Sequence, residues 1–242
     1  MMTDEKFYRT ELLLGSKAME RLRGSTAAVF GIGGVGSFAV EALARTGVGR
    51  LILVDHDAVD VTNINRQLHA TTKTLGQSKT ALMKARVLEI NPEARVDVID
   101  EFYLPSNGDA DRFFIGRYDC VLDAIDTVSG KLGLVIECER RGIPIVSSMG
   151  AGNKLDPTAF RAGDLFETTV DPIAKVMRKK LKELGIKKLR VVYSTESPMS
   201  LNLTDEQKNS GKKIIGSISF VPSVAGLILA GEAIKLLVSD LT

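Results

Sequence analysis

Six residues, Gly31-Ile-Gly33-Gly34-Val-Gly36, set out glycines at a spacing suited to holding a phosphate chain. They follow an apolar run, Thr26 to Phe30, and open a helical one, and only in that context does a glycine pattern point to a nucleotide. The glycines permit a tight turn, close backbone approach to phosphate and tight helix packing, while the helix N-terminus faces the anion. Asp55 lies 19 residues beyond Gly36, at the end of the next apolar run, where a carboxylate can accept both hydroxyl protons of a ribose. To this point an NAD-dependent dehydrogenase fits equally well.

The following residues separate the two readings. Asp55-His-Asp57-Ala-Val-Asp60-Val-Thr-Asn63-Ile-Asn65-Arg66-Gln67 is followed by Gly76-Gln-Ser-Lys79. The loop after the ribose carboxylate therefore carries one cation, and the next helix starts on another. Arg66 and Lys79 converging on the glycine loop suit a triphosphate and its departing pyrophosphate, whose charge must be stabilised in a dry site. A dehydrogenase needs no such pair. Further on, Leu122-Asp123-Ala-Ile-Asp126 places two carboxylates after a strand. Asp126 can hold a hard cation through oxygen, whereas Asp123, at the strand end, suits capping of the turn that follows.

The order of elements explains how these groups meet. β-rich runs alternate with helix-period runs from Ser25 to about Ser148, which predicts a mostly parallel sheet in a doubly wound, Rossmann-like α/β fold. Strands are expected at Thr26 to Phe30, Arg50 to Val54, Arg95 to Ile99, Tyr118 to Ala124 and Pro144 to Ser148. Helices are expected at Val35 to Thr46, Lys79 to Ile90 and Thr127 to Arg141, the first ended by Gly47 and the last by Gly142. Beyond Met149 the pattern loosens. Gly150-Ala-Gly152 reads as a turn and Ala159 to Glu167 as a short strand and loop. Asp171-Pro172 caps an amphipathic helix that runs to Gly185, and Leu189 to Tyr193 resumes strand character. Asn202 to Lys213 reads as a polar loop, Ile214 to Phe220 as a strand, and Val221 to Val238 as a core helix. There is no internal repeat.

At 242 residues, 44% of them hydrophobic, the chain can form one domain around one core. We divide it into an N-terminal helical arm (1–24), a nucleotide-binding core (25–148) and a substrate-facing C-terminal part (149–242). A net charge of +2 excludes bulk attraction to nucleic acid or membrane but leaves room for a local patch. One such patch lies between Lys175 and Arg190, where Lys175, Arg178, Lys179, Lys180, Lys182, Lys187, Lys188 and Arg190 face a single acid, Glu183. It could track an RNA backbone or simply be a solvated helix face. Met1 to Arg9 lack the apolar core of a signal peptide, which predicts a cytoplasmic protein. Glu232 and Lys235 interrupt the apolar Val221 to Val238, against a membrane span. Cys120 and Cys138 fall inside apolar periodic runs and read as packing residues. His56 and His69 read as loop or capping residues.

Taken together, the glycine loop, Asp55, Asn63, Arg66, Lys79 and Asp126 resemble the motifs of the E1-like adenylyltransferase superfamily, which includes ubiquitin-activating enzymes and the adenylyltransferases of molybdopterin and thiamine biosynthesis. The resemblance implies ATP on Gly31, Gly33, Gly34 and Gly36. It implies ribose contact by Asp55, with Asp57 and Gln67 in the same pocket, phosphate contact by Asn63, Arg66 and Lys79, and Mg²⁺ handled by Asp126. Arg9, in Arg9-Thr-Glu-Leu-Leu-Leu-Gly15, resembles an arginine that reaches into the partner subunit's site, so a homodimer is implied. The chain departs from sulfur- and ubiquitin-transferring members in lacking C-x-x-C zinc pairs and an exposed thiolate.

The second half narrows the resemblance. Gly150-Ala-Gly152-Asn-Lys-Leu-Asp156-Pro157-Thr, Asp171-Pro172 through Lys182, Tyr193-Ser194-Thr-Glu196 and Gly216-Ser-Ile-Ser-Phe220-Val-Pro222-Ser-Val-Ala-Gly226 are similar to the tRNA threonylcarbamoyladenosine dehydratases. That family adenylates the carboxylate of threonylcarbamoyladenosine in tRNA, and the modified base then cyclises with loss of water. The implied partner is a tRNA decoding ANN codons, with its modified adenosine next to the anticodon, and Lys175, Arg178, Lys179, Lys180 and Lys182 are the candidate RNA contacts. The resemblance leaves open a bound Na⁺ or K⁺ and a sulfur-transfer partner protein. Two other functions remain to be weighed: activation of a ubiquitin-like or sulfur-carrier protein, and a non-catalytic nucleotide-binding scaffold.

Overall fold

A computed structural model of the chain describes residues 5–104, 110–209 and 214–241. Its centre is one seven-stranded sheet in the order β3-β2-β1-β4-β5-β7-β6. β1 (Thr26–Phe30), β2 (Arg50–Val54) and β3 (Arg95–Ile99) run parallel on one side of the first crossover, and β4 (Cys120–Asp123) and β5 (Ile145–Ser148) on the other. β7 (Arg190–Ser194) continues parallel to β5, and β6 (Phe160–Asp164) closes the edge antiparallel to it. The five residues of β1 are all buried, as expected of a central strand covered on both faces. The strand order reverses between β1 and β4, the place where open α/β sheets bind ligands at the strand C-termini.

α3 (Gly36–Arg45), α4 (Lys79–Ile90) and α5 (Val128–Arg141) are the crossover helices. Gly142, in the left-handed region at φ 64°, stops α5. α6 (Pro172–Glu183) starts on Asp171, whose carboxylate accepts from the amides of Ile173 and Ala174, and carries proline in its first turn. It buries Ala174, Met177 and Leu181 in a cluster shared with Val135 of α5 and Val191 of β7. A five-residue helix, α7 (Asp205–Asn209), lies where a loop was expected, and 210–213 of that loop fall outside the described residues.

α8 (Phe220–Leu237) is long and apolar enough to cross a membrane, yet half of it is buried in the domain. Glu232, 6% exposed, is held there by Arg190 at 2.6 Å and Lys235 at 2.8 Å. Burial raises the pKa of that carboxyl and the two cations more than reverse the effect, leaving it below the ordinary value.

The strand expected over Ile214 to Phe220 does not form. The amide and carbonyl of Gly216 are taken by Asn153 at 2.7 and 2.8 Å, and the Ser217 carbonyl by Asn65 at 2.9 Å. The segment is thus a strap tied to loops, and none of its side chains from Ile214 to Ser219 is buried. Its apolar alternation has no sheet edge to meet.

The N-terminal arm divides into α1 (Tyr8–Leu14) and α2 (Ser16–Gly24) at Gly15, whose φ is 82°. Phe7 and Met19 pack against Gly47, beyond the C-terminus of α3, and Lys6 pairs with Glu93 just before β3. The arm therefore sits at the N-terminal ends of the strands.

Candidate nucleotide site

The glycine loop joins β1 to α3 at the reversal point. Gly31 adopts φ 85° and gives its amide to the Val54 carbonyl at 2.8 Å. A Cβ at Gly36 would stand 1.8 Å from the Gly31 carbonyl oxygen, and one at Gly31 2.7 Å from that of Ala124. Both distances lie well inside contact, so the loop closes only with glycine there. Gly34 is approached from two sides, by Pro222 of α8 at 3.2 Å and by Cγ of Arg66 at 3.4 Å from its Cβ direction. α8 also presses Gly226 onto the Val35 carbonyl, which a Cβ would meet at 2.2 Å.

Asp55 closes the far side of the loop. Its carboxylate accepts from the amide of Ile32 at 2.6 Å and of Asp57 at 2.9 Å. Asp57 holds the ammonium of Lys79 at 2.7 Å and touches His56 at 3.1 Å. Lys79 is only 4% exposed, and its place is fixed because the segment before α4 pairs with the one after β2 through Val59 to Gln77 and Gly76 to Val59, each at 2.9 Å. Asp57 thus positions Lys79. Asp55, His56 and Asp57 bring their ligand atoms within 4.8 Å of one another, but Asp57 is already committed to the cation.

The short helical turn Val61–Asn63 begins on Asp60, whose carboxylate accepts from the Thr62 amide at 2.8 Å. Asn63 is buried and returns the cap by accepting from the Asp60 amide at 3.2 Å. Its side-chain nitrogen, unlike its backbone amide, makes no hydrogen bond among the described residues, so it can meet an oxygen of a ligand. Arg66 is anchored by its guanidinium to the Thr62 carbonyl at 2.7 Å and the Asn65 side chain at 3.1 Å. Gln67 and His69 are 7% and 6% exposed, and the side-chain oxygen of Gln67 and both ring nitrogens of His69 lack partners among the described residues. Burial, reinforced by the charge of Lys79, pushes the His69 imidazole down to about 4. It is therefore neutral at physiological pH. His69 is a turn residue, in keeping with the loop reading, and its ring lies inward because the chain from Gln67 to Ala70 folds over α3, with the Leu68 amide on Ser37.

Asp126 is exposed at the turn after β4 and makes no side-chain hydrogen bond or ion pair among the described residues. Free carboxylate oxygens at the mouth of a phosphate site are the donor set a hard cation such as Mg²⁺ takes. Asp123 behaves differently. It is fully buried, accepts from the Ile125 amide at 3.1 Å, is paired with Lys131 at 3.2 Å and receives the Ser147 hydroxyl. Lys131, 1% exposed, also reaches the Ser148 carbonyl at 2.5 Å. Asp123 thus caps the turn, as expected, and sequence reasoning missed its buried cation. A lysine five residues after Asp126, on an otherwise apolar helix face, was the available signal.

Gly31, Gly33, Gly34, Gly36, Asp55, Asp57, Asn63, Arg66, Gln67, Lys79 and Asp126 thus gather at one end of the sheet. Arg9 does not. It is exposed on α1, at the opposite end of the strands, and cannot serve the site of its own chain. Lys175, Lys179 and Lys182 of α6 point to solvent, whereas Arg178 is drawn to the Thr168 hydroxyl, Lys180 lies 3.9 Å from Glu183, and Arg190 is held by Glu232. Cys120 and Cys138 are buried, and burial raises both thiols, Cys120 to about 12. Neither offers a thiolate.

The profile of the ThiF family matches residues 8–241. The chain belongs to the ThiF family. Over 245 residues it is 49% identical to the tRNA threonylcarbamoyladenosine dehydratase of Bacillus subtilis, with 98% of this chain and 96% of that protein aligned. The enzyme of the same name from Escherichia coli is 43% identical over 201 residues, covering 80% of this chain and 74% of its own. The crystal structure of E. coli tRNA N6-threonylcarbamoyladenosine dehydratase in complex with AMP superposes with a TM-score of 0.88 at 37% identity, over 99% of this chain and 98% of that one. The fold is accordingly the E1-like α/β fold expected from the sequence.

Proposed function

We propose that the protein is an ATP-dependent tRNA threonylcarbamoyladenosine dehydratase. One structural observation carries this reading over its alternatives: Arg66 packs on the glycine loop and Asp57 holds Lys79 beside Asp55, in a chain whose two thiols are both buried. An acyl adenylate made here has no cysteine of this chain to receive it, which suits a substrate that consumes it itself. Whole-length identity of 49% to a dehydratase supports the same choice, as does a solved relative with ATP bound.

The backbone of the glycine loop and the N-terminus of α3 bind the phosphates, and Asp55 accepts from the ribose. Lys79, released from Asp57, and Arg66 neutralise charge as the substrate carboxylate oxygen bonds to the α-phosphorus and the bond to pyrophosphate breaks. A nitrogen of the same substrate side chain then bonds to the acyl carbon and gives up its proton, while AMP departs with the former carboxylate oxygen, so the substrate acid loses the elements of one water overall. Proximity is built into that substrate, which removes the need for a protein nucleophile. Asp126 is the residue that would hold Mg²⁺, which when bound supplies charge neutralisation at the phosphates.

Two finer points belong to the same proposal. Arg9, remote from its own site, is donated to the site of a second copy, so the active species is a homodimer. The solvent-facing lysines of α6 meet the tRNA backbone. The deciding experiment is mass spectrometry of adenosines from tRNA incubated with protein and MgATP. The modified nucleoside should lose the mass of one water while AMP and pyrophosphate appear. Pyrophosphate released only with a ubiquitin-like or sulfur-carrier protein would transfer the protein to that other class of adenylyltransferase.

A further inference from the structure

Beside the nucleotide site the segment Val61 to Arg66 and the strap before α8 enclose a cleft of about 580 Å³, a size in the range of small-ligand sites. Val61, Ile64 and Ile215 line it and are 62%, 36% and 57% exposed. Three aliphatic side chains from segments about 150 residues apart in sequence, turned toward one opening, leave apolar area in water that a ligand would cover. Arg66 also lines the cleft, and its Cγ packs on Gly34. A cation shared with the glycine loop therefore forms part of the cleft wall.

Its walls are held in place. Asn65 bonds the Ser217 carbonyl at 2.9 Å, and Asn153 takes both backbone groups of Gly216. Asn153 sits at φ 58°, alone among the described non-glycine residues in that region, and its carbonyl accepts from the Met199 amide at 2.7 Å. Gly152 makes room for the strap, since a Cβ there would come within 2.3 Å of the Ile215 side chain. The same loop reaches α6, because Gly150 gives its amide to Asp171 at 3.1 Å. One loop thus connects the cleft wall to the helix whose lysines face solvent.

We propose that this cleft receives the modified base of the RNA substrate, flipped from its stack, with Val61 and Ile64 against one face and Ile215 against the other. Its carboxylate arm points along the cleft to Arg66. This rests on the dehydratase reading and adds to it the residues that select the nucleoside. A flat, partly apolar body with an anionic arm matches aliphatic walls that include a cation. A base read this way must leave the strand.

Ile64→Asp and Ile215→Asp, both on exposed positions, test the assignment, with Ile215→Val as the conservative control. With tRNA bearing the threonylcarbamoyl group and saturating MgATP, kcat/KM should fall roughly 10- to 100-fold in each aspartate variant and hold in the valine variant. Affinity for ATP, and for the same tRNA without the modification, should stay at the wild-type level. Unchanged kcat/KM in both aspartate variants beside an active wild type would overturn the cleft assignment alone, and so would equal weakening toward unmodified tRNA. A wild type that forms no cyclic nucleoside would bring down the dehydratase reading itself.

Discussion

Replacing Lys131 with methionine should destabilise the protein by about 3–5 kcal/mol, the range for removing one partner of a buried ion pair. Methionine keeps the apolar stem but removes the ammonium that lies 3.2 Å from Asp123 and 2.5 Å from the Ser148 carbonyl. Asp123 then keeps only the Ser147 hydroxyl and the Ile125 amide, with no opposite charge at a site without solvent exposure. For a chain of 242 residues, with each kcal/mol worth about 2–4 °C, the melting temperature should drop by roughly 6–20 °C. Calorimetry and urea titration measure both quantities. Joining Lys131→Met to Asp123→Asn removes both charges and should recover most of the loss. The damage should extend to nucleotide affinity, because Asp123 sets the turn whose Ala124 carbonyl abuts Gly31. A loss below about 1 kcal/mol, the level of an exposed pair, would refute the reasoning, and so would a double variant no more stable than the single one.

Asp126→Ala should abolish AMP formation with an unchanged melting curve, since the side chain is exposed and unpaired; turnover at the wild-type rate would remove Asp126 from the mechanism. His69 titrates far below its unfolded value near 6.5, so its contribution to stability is complete above that pH and is lost as pH falls toward about 4. His69→Gln should therefore flatten the acid limb by about 3 kcal/mol between pH 6.5 and 4, which urea midpoints across that range will check. Lys179→Glu and Lys182→Glu should each weaken tRNA binding and lower its salt slope by about one, while ATP affinity holds; slopes equal to wild type would return α6 to solvent. Arg9→Ala should be inactive alone yet regain part of its turnover when mixed with Asp126→Ala, because such dimers keep one complete site. An inactive mixture would argue against an arginine supplied in trans.

The nucleotide-binding half was legible because its signals are local. β1, β2, β3 and α4 fall on the residues their periodicity marks, and the glycine loop, Asp55 and Lys79 lie where spacing alone puts them. What escaped depends on partners far along the chain. The strap at Ile214 alternates like a strand, and only Asn65 and Asn153, distant in sequence, show where its hydrogen bonds go. Lys131 was missed because a single lysine in a helix ordinarily faces water, although its neighbours on that helix face are apolar. The patch from Lys175 to Arg190 was visible as charge, but Arg190 and Arg178 proved to be tied internally, a distinction composition does not carry. Arg9 was recognisable through family resemblance, and its distance from the site became evident from the packing of Phe7 against Gly47.

Pro222 and Gly226 of α8 lie directly on Gly34 and Val35. The ribosome makes the phosphate loop early and its roof some 190 residues later, so a nascent chain that has already paired its first strands still lacks one wall of the nucleotide pocket.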